Sequence, residues 1–574
     1  MECTHRPSRS PTGSRVRCRT VCRRAPVSFR ASAPLWPASR SSCPSPALPV
    51  HHASAIVREH HPRGGSMLPA PLESAVNARL AALASNRIID RIWARDHTVW
   101  QPEPAECADR LGWLTVHQQM FARLPAIAAL RETLRAEGAA SLLLLGMGGS
   151  SLAPEVMTSA FGPAPDALRF ELLDSTDPRQ LDALLARLDL AATVIAVSSK
   201  SGTTIETRSQ FAFFRERLPD PHRYIVITDP GTPLEAEAHR LGIERLFLNP
   251  PDIGGRFSAL SYFGLVPAIL CGVDIPGMFG RLGPMARSCQ DPDPAANPGA
   301  WLGAVMAEAA LAGRDKLTVF LPQQVEGLGH WIEQLVAEST GKHGRGILPV
   351  EGERIGPPSV YGDDRLFVAY GPLDGLAELE ASGQPVVRLP AIGPLDLAAE
   401  FFRWEFATAV AGHILGINPF DQPNVEEAKR LARRLLEGVA PEPVTPAPAD
   451  VLASIRPGDY LAILAYLPRD RTTADRLERA RHAFRDRLRV ATTIGFGPRY
   501  LHSTGQLHKG GPNTGVFLVV EDPPSVDFPV PGEPFTFAQL EAAQARGDVA
   551  ALLAHGRRVA RLSLAELERL AFPA

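Results

Sequence analysis

Between Thr193 and Thr207 the chain reads TVIAVSSKSGTTIET, and Ser199, Lys200, Ser201, Thr203 and Thr204 crowd four hydroxyls and an ammonium into six positions. Donors at that density suit an anion. Val194–Val197 is the apolar, β-branched run of a buried parallel strand. Thr203 and Glu206 have the Thr-x-x-Glu spacing of a capping box, so a helix is expected to start inside the hydroxyl cluster. Free N–H groups and the positive dipole end would then meet the hydroxyls at one point, and Gly202 would let the backbone approach it. The same residues could also do no more than cap a helix.

A second strand-to-turn junction, LLLLGMGGSSLAP at Leu142–Pro154, offers backbone donors to a sugar, with Gly149 and Ser150 at its tip. Gly146, Gly148 and Gly149 nearly spell the dinucleotide fingerprint, and Asp174 follows another apolar run. Ser151 stands where the last glycine should be, and no other complete G-x-G-x-x-G follows a strand. That argues against a nicotinamide cofactor.

The carboxylate best placed for proton transfer is Glu338, in GLGHWIEQLVAESTGKHGRG. Leu328, Ile332, Leu335 and Val336 form a helical apolar stripe, Gln334 and Glu338 share another face, and Gly341 stops the helix. At a helix C-terminus the dipole disfavours a carboxylate and favours its protonation, a bias useful to a general base and partly offset by Lys342. The plain alternative is a solvated helix-end glutamate. Arg256, preceded by Gly254 and Gly255, is either a surface arginine or a cation where backbone approaches something closely.

Around these residues the chain is long enough for about three domains: 574 residues, with a formal net charge of -2. The residues before Met67 hold eleven Arg and no Lys against Glu2 and Glu59, which leaves the remainder acidic. An acidic body excludes a nucleic-acid-binding face and suits a small anion held by a local site. Residues 1–66 have no helical or strand period and are expected to be disordered; their composition fits a transit peptide and equally a misread upstream start, which we prefer, with Met67 the true beginning. Cys3, Cys18, Cys22 and Cys43 lie in that leader and only Cys107, Cys271 and Cys289 in the body, implying a reducing cytoplasm. No zinc-type ligand spacing and no apolar run of about 18 residues is present, so neither a metal site nor a membrane span is expected.

A helical N-terminal segment, residues 67–134, is anchored by Trp93, Trp100 and Trp113. Short apolar runs then alternate with helix-length segments, the pattern of a parallel sheet covered on both faces: Leu142–Leu145, Phe170–Leu173, Val194–Val197 and Tyr224–Ile227. This first α/β domain spans 135–285. A hinge around Gly283–Pro298 leads to a second, 286–440, with strands at Leu317–Leu321, Leu366–Ala369 and Val386–Leu389. The Pro-rich APEPVTPAPA opens a linker and C-terminal α/β extension, 441–574, with strands at Tyr460–Tyr466 and Val516–Val520.

GMGGSS, SSKSGTT, GGRFSALSYFGL, ESTGK and INPFDQPNVEEAK, in this order, resemble phosphoglucose isomerase, with RIWARDHTVWQPEPAECADRLGWL and TGQLHKGGPNTGVFLVV nearest the isomerase half of bifunctional transaldolase/phosphoglucose isomerases. The resemblance implies an α/β fold: two sugar-isomerase-type doubly wound parallel-sheet domains, a helical N-terminal segment and a C-terminal α/β extension. It also implies reversible conversion of glucose 6-phosphate to fructose 6-phosphate through a cis-enediol, in glycolysis and gluconeogenesis, without metal or organic cofactor. In that reading Glu338 is the base, Arg256 stabilises the enediolate, and Gln334 contacts the phosphate side. Ser199, Lys200, Ser201, Thr203 and Thr204 grip the phosphate, and Gly149 and Ser150 line the sugar.

The family's ring-opening histidine, some thirty residues beyond the base, is missing, because no histidine lies between His343 and His413. Lys509 is ranked first for that role as the family's late lysine, His508 second, and His413 is a spare. Asp421 and Gln422 are read as turn and network residues. A cytoplasmic homodimer is implied, and the sequence leaves open whether a separate transaldolase chain is a partner. Two alternatives stay open: an isomerase that also accepts mannose 6-phosphate, and a non-catalytic sugar-phosphate sensor of the same fold.

Overall fold

The computed structural model describes residues 66–439 and 442–573. The expectations for the leader fall outside this range. Three sheets, all of parallel strands, follow one another along the chain. The first holds β1 (Ser141–Leu145), β2 (Arg169–Leu173), β3 (Thr193–Ser198), β4 (Tyr224–Thr228) and β5 (Leu246–Leu248) in the order β2-β1-β3-β4-β5. The second holds β6 (Lys316–Phe320), β7 (Leu348–Val350), β8 (Arg365–Tyr370) and β9 (Val386–Leu389) in the order β7-β6-β8-β9. The third holds β10 (Tyr460–Tyr466), β11 (Ala491–Phe496), β12 (Gly515–Glu521) and β13 (Arg558–Leu562) in the order β11-β10-β12-β13. The first two are doubly wound, as expected, and the C-terminal extension repeats the pattern; in each the order reverses beside the sheet's first strand.

Continuous apolar strands are what such sheets require, because both faces are covered. In β1, Leu142 and Leu144 enter one hydrophobic cluster while Leu143 and Leu145 enter another with Ile195, Val197 and Val226. The first of these clusters extends without interruption through the N-terminal helices into the second sheet, taking in Leu317, Val319 and Val368. The tryptophans of the N-terminal segment anchor it: Trp113 is fully buried, and Trp93 and Trp100 donate to the carbonyls of Cys289 and Ala409 at 2.8 Å each. In the third sheet one face forms a core of its own, and the other packs Tyr460, Leu464 and Phe517 against Leu348 and Val350 of the second.

Among the helices, α1 (Leu152–Phe161) follows β1 and α2 (Ile205–Arg217) follows β3. α3 (Pro298–Leu311) and α5 (Leu397–Leu415) flank α4 (Leu328–Thr340) in sequence; α6 (Val425–Leu436) and α7 (Phe537–Ala554) complete the set that matters here. Part of the stretch read as a hinge is helical. Gly283–Ser288 still belongs to a helix, Ile275–Ser288, which holds Leu282, Met285 and Ala286 in the core despite Pro284. Burying that apolar stripe outweighs the local cost of the proline.

Candidate active site

Chain reversal between β1 and β3 opens a crevice at their C-terminal ends, and both glycine- and hydroxyl-rich loops leave the sheet there. The two loops line one cavity of about 780 Å³. The loop after β3 is tied by its own hydroxyls: Ser199 Oγ lies 3.1 Å from Thr204 Oγ1 and accepts the Gly202 N–H at 3.2 Å, while Ser201 Oγ lies 3.0 Å from Thr203 Oγ1. Gly202 has φ +67°, a conformation few other residues adopt without strain. Ser201, Thr203, Thr204 and Lys200 face the cavity, whereas Ser199 lies buried beneath them and shapes the loop. Lys200 is paired with Asp229.

The expected capping box does not form. Helix α2 starts at Ile205 behind Thr204, whose side chain caps none of its N–H groups. Glu206 is instead pulled away, with Oε1 accepting from Gln544 Nε2 at 2.7 Å and lying 3.0 Å from His502 Nε2. Burial works against its charge, but His502 and that hydrogen bond hold the carboxyl below the usual range. The first-turn donors of α2 are thus left uncapped by side chains at the point where an anion would enter.

Opposite this loop stands the carboxylate. Helix α4 runs as the apolar spacing predicts and ends at Gly341, placing Glu338 in its last turn with a side chain 13% exposed. Arg256 Nη1 lies 3.2 Å from Glu338 Oε1. The guanidinium is buried and fixed by Ser339 Oγ at 2.7 Å, Gln422 Oε1 at 3.0 Å and the carbonyls of Pro419 and Asp421. Gln422 and Asp421 are therefore network residues, as their sequence suggested. The glycine this contact requires is Gly149, where a Cβ would sit 2.0 Å from the carbonyl oxygen of Gly255, so the loop after β1 and the arginine loop touch through backbone; a Cβ on Gly255 itself would meet nothing within 4 Å. Gln334 donates to Glu338 Oε2 at 3.2 Å and to the His502 carbonyl at 2.7 Å. Beneath them Lys342 is fully buried against Asp421 and the Asn418 carbonyl; burial, together with Arg256, pulls its ammonium down to about 7.

Gly149, Ser150, Lys200, Ser201, Thr203, Thr204, Arg256, Gln334 and Glu338 thus converge on one cavity. His508 does not join them. Its ring is buried against Tyr460 and Phe517, with Nδ1 3.0 Å from the Tyr460 hydroxyl, and burial pushes its pKa well below the ordinary imidazole value. His413 bonds the Val99 carbonyl at 2.7 Å and lines no part of the cavity. Lys509 reaches the wall, but its ammonium is committed to buried Asp548 at 2.6 Å.

The histidine that does line the cavity is His502, which sequence reasoning passed over. It stands just past β11, a strand whose sequence, ATTIGF, is too weakly apolar to announce itself. The sequence signal for it is LHSTGQLHKGG, two histidines six residues apart around a turn, the first of them His502. Lys429 on α6 also lines the cavity, where its charge adds to the hold on Glu206. Among the described residues no group of His, Cys, Asp and Glu is placed to hold a metal ion, and no helix is long and apolar enough to cross a membrane.

Comparison with known proteins bears on the family and the fold. Residues 132–343 match the family model described as phosphoglucose isomerase. A probable glucose-6-phosphate isomerase of Haloarcula marismortui is 31% identical over 353 residues, 53% of this chain and 79% of that protein. The glucose-6-phosphate isomerase of Rubrobacter xylanophilus is 29% identical over 382 residues, 54% of this chain and 87% of its own length. In fold, the crystal structure of a glucose-6-phosphate isomerase from Chlamydia trachomatis superposes with a TM-score of 0.52 at 18% identity, covering 67% of this chain and 95% of that one. On sequence, with the fold in agreement, this chain belongs to the phosphoglucose isomerase family.

Proposed function

We propose that the chain interconverts glucose 6-phosphate and fructose 6-phosphate by moving one proton between C1 and C2 of the open-chain sugar. The observation that carries this reading is that the Arg256–Glu338 pair, 3.2 Å apart, lines the same cavity as the hydroxyl loop after β3. The loop and the α2 N-terminus grip the phosphate, which does not react, and that binding energy orients the carbonyl end. Glu338 takes the C2 proton of the aldose and returns it to C1. Arg256, already desolvated and held by four hydrogen bonds, stabilises the oxyanion of the enediolate without reorganising.

Opening the pyranose requires a proton delivered to the ring oxygen as the anomeric hydroxyl loses one. We assign this to His502, backed by Glu206, because it is the cavity-lining imidazole with a carboxylate partner. The reading includes a cytoplasmic homodimer, which light scattering and cell fractionation check; it is supported by family membership.

A coupled assay of Met67–Ala574 with chelator present tests the whole. Activity is expected with glucose 6-phosphate and fructose 6-phosphate, and mannose 6-phosphate in the same assay sets the breadth. Glu338→Gln should lower kcat by about 10³-fold while substrate still binds. Unchanged turnover removes Glu338 from the mechanism, and binding without turnover by the wild type favours a sugar-phosphate sensor.

A further inference from the structure

The stretch carrying His502 is pinned on both sides to one carboxylate. Asp548, fully buried on α7, accepts from the Tyr500 hydroxyl at 2.8 Å and from the Lys509 ammonium at 2.6 Å, one on each oxygen. Tyr500 precedes His502 and Lys509 follows it, so a single side chain closes the segment around the imidazole. Behind Tyr500 lies the hydroxyl of Tyr466, at 3.1 Å. Burial pushes both phenols well above their ordinary pKa, and they stay protonated as donors.

Four residues earlier on the same face of α7 stands Gln544. Its Oε1 accepts from Thr176 Oγ1 at 2.8 Å, which fixes the amide so that its nitrogen donates to Glu206 Oε1 at 2.7 Å. That oxygen is also the one His502 Nε2 reaches. A carboxylate can only accept, so the neutral imidazole carries its proton on Nε2 and keeps Nδ1 as the basic nitrogen, the one that takes the proton of the anomeric hydroxyl and passes it to the ring oxygen.

We propose that α7 is the positioning helix of the site: Asp548 sets the segment that carries His502, and Gln544 sets the carboxylate that His502 uses. Asp548 and Gln544 are positioning residues that touch no reacting atom, and Lys509 is a tether and not the acid that opens the ring. The inference rests on the ring-opening role given to His502 above. Its physical ground is that a displacement of about 1 Å in a proton-transfer group costs on the order of 100-fold in rate.

The test uses full-length chain and three variants: Asp548→Asn, Gln544→Leu, and the double Lys509→Met/Asp548→Leu, which leaves no unpaired buried ion and so guards against simple unfolding. Steady-state kinetics with glucose 6-phosphate are read beside the 15N resonances of the His502 ring, which report its tautomer. Asp548→Asn should lower kcat by about tenfold or more with KM changed less than about threefold, and should turn the single Nε2–H tautomer into a mixture. The double variant should be as slow and show the same mixture; Gln544→Leu should also mix the tautomers. Wild-type kcat in the double variant overturns the proposal. So does a slow Asp548→Asn that keeps the wild-type ring signature, which would make Lys509 the acid. If the wild type isomerises nothing, the functional reading fails, while the ring resonances still decide whether Asp548 sets His502.

Discussion

The loops after β3 and after β11 both leave the C-terminal end of a parallel strand, in sheets wound in the same order, and both reach one cavity. They are held there by different means. The β3 loop lies at the reversal point of its sheet, where a crevice exists by topology, and its hydroxyls bond one another. The β11 loop leaves an edge strand and has no crevice of its own. It is carried to the site by ion pairs: Arg499 to Asp174 and Glu155 of the first sheet's domain on one side, Lys509 to Asp548 on the other. A cluster of hydrogen-bond donors can therefore be written into a dozen consecutive residues, whereas an imidazole carried beyond a sheet edge has to be tied down from several directions.

If this contrast is right, lesions on the two sides of the cavity should have different kinetic signatures. The largest effect after Glu338 is expected on the chemical side, where Arg256→Gln should lower kcat by about 10² to 10³-fold with substrate affinity nearly retained. Equal losses in kcat and affinity would instead make Arg256 a substrate clamp. His502→Gln should lower kcat by about 10²-fold, and more for cyclic than for open-chain substrate; equal losses on both would move His502 out of ring opening. On the binding side, the double variant Ser199→Ala/Thr204→Ala removes two hydrogen bonds that shape the loop, Ser199–Thr204 and Gly202–Ser199, each such bond contributing about 0.5–1.5 kcal/mol. KM should rise about tenfold and kcat should move less; a larger fall in kcat would erase the distinction between the two loops.

The smallest effect concerns stability away from both loops. His117 is buried against Phe402, and burial alone lowers its imidazole from the ordinary 6.5 to about 4. Between those values the unfolded chain binds the proton more readily than the folded one. Stability is then intact above pH 6.5 and declines as the pH falls through 4. His117→Phe should flatten that decline in a series of melting curves from pH 7 to about 4, and curves that run parallel would show that His117 does not contribute.

Much of the first two sheets was legible because buried parallel strands are written as unbroken apolar runs: LLLL in β1, VIAV in β3 and YIVI in β4 lie where those runs predict. β5 and β7 were not seen, being three residues each, nor was β11, with two threonines and a glycine among its six. Losing β11 meant losing His502, since a histidine draws notice only when the element that aims it is recognised. The capping box was misread for a related reason. Glu206 satisfies the local pattern, yet the carboxylate finds stronger partners in His502 and Gln544, nearly three hundred residues or more away in the chain.

By itself the sequence determined the parallel α/β class, the hydroxyl-rich loop after β3 and the helix that presents Glu338, while the resemblance of its motifs pointed to the family. The class, the loop and the helix follow from side-chain period or from donors and acceptors a few residues apart, and so survive without knowledge of the rest of the chain. Tertiary structure alone decided which histidine faces the cavity, that Lys509 is tied to Asp548, and that Arg256 meets Glu338. Those are choices among buried partners brought together across the whole chain, and burial enforces them because a charge left unpaired in the interior costs more than the fold can absorb.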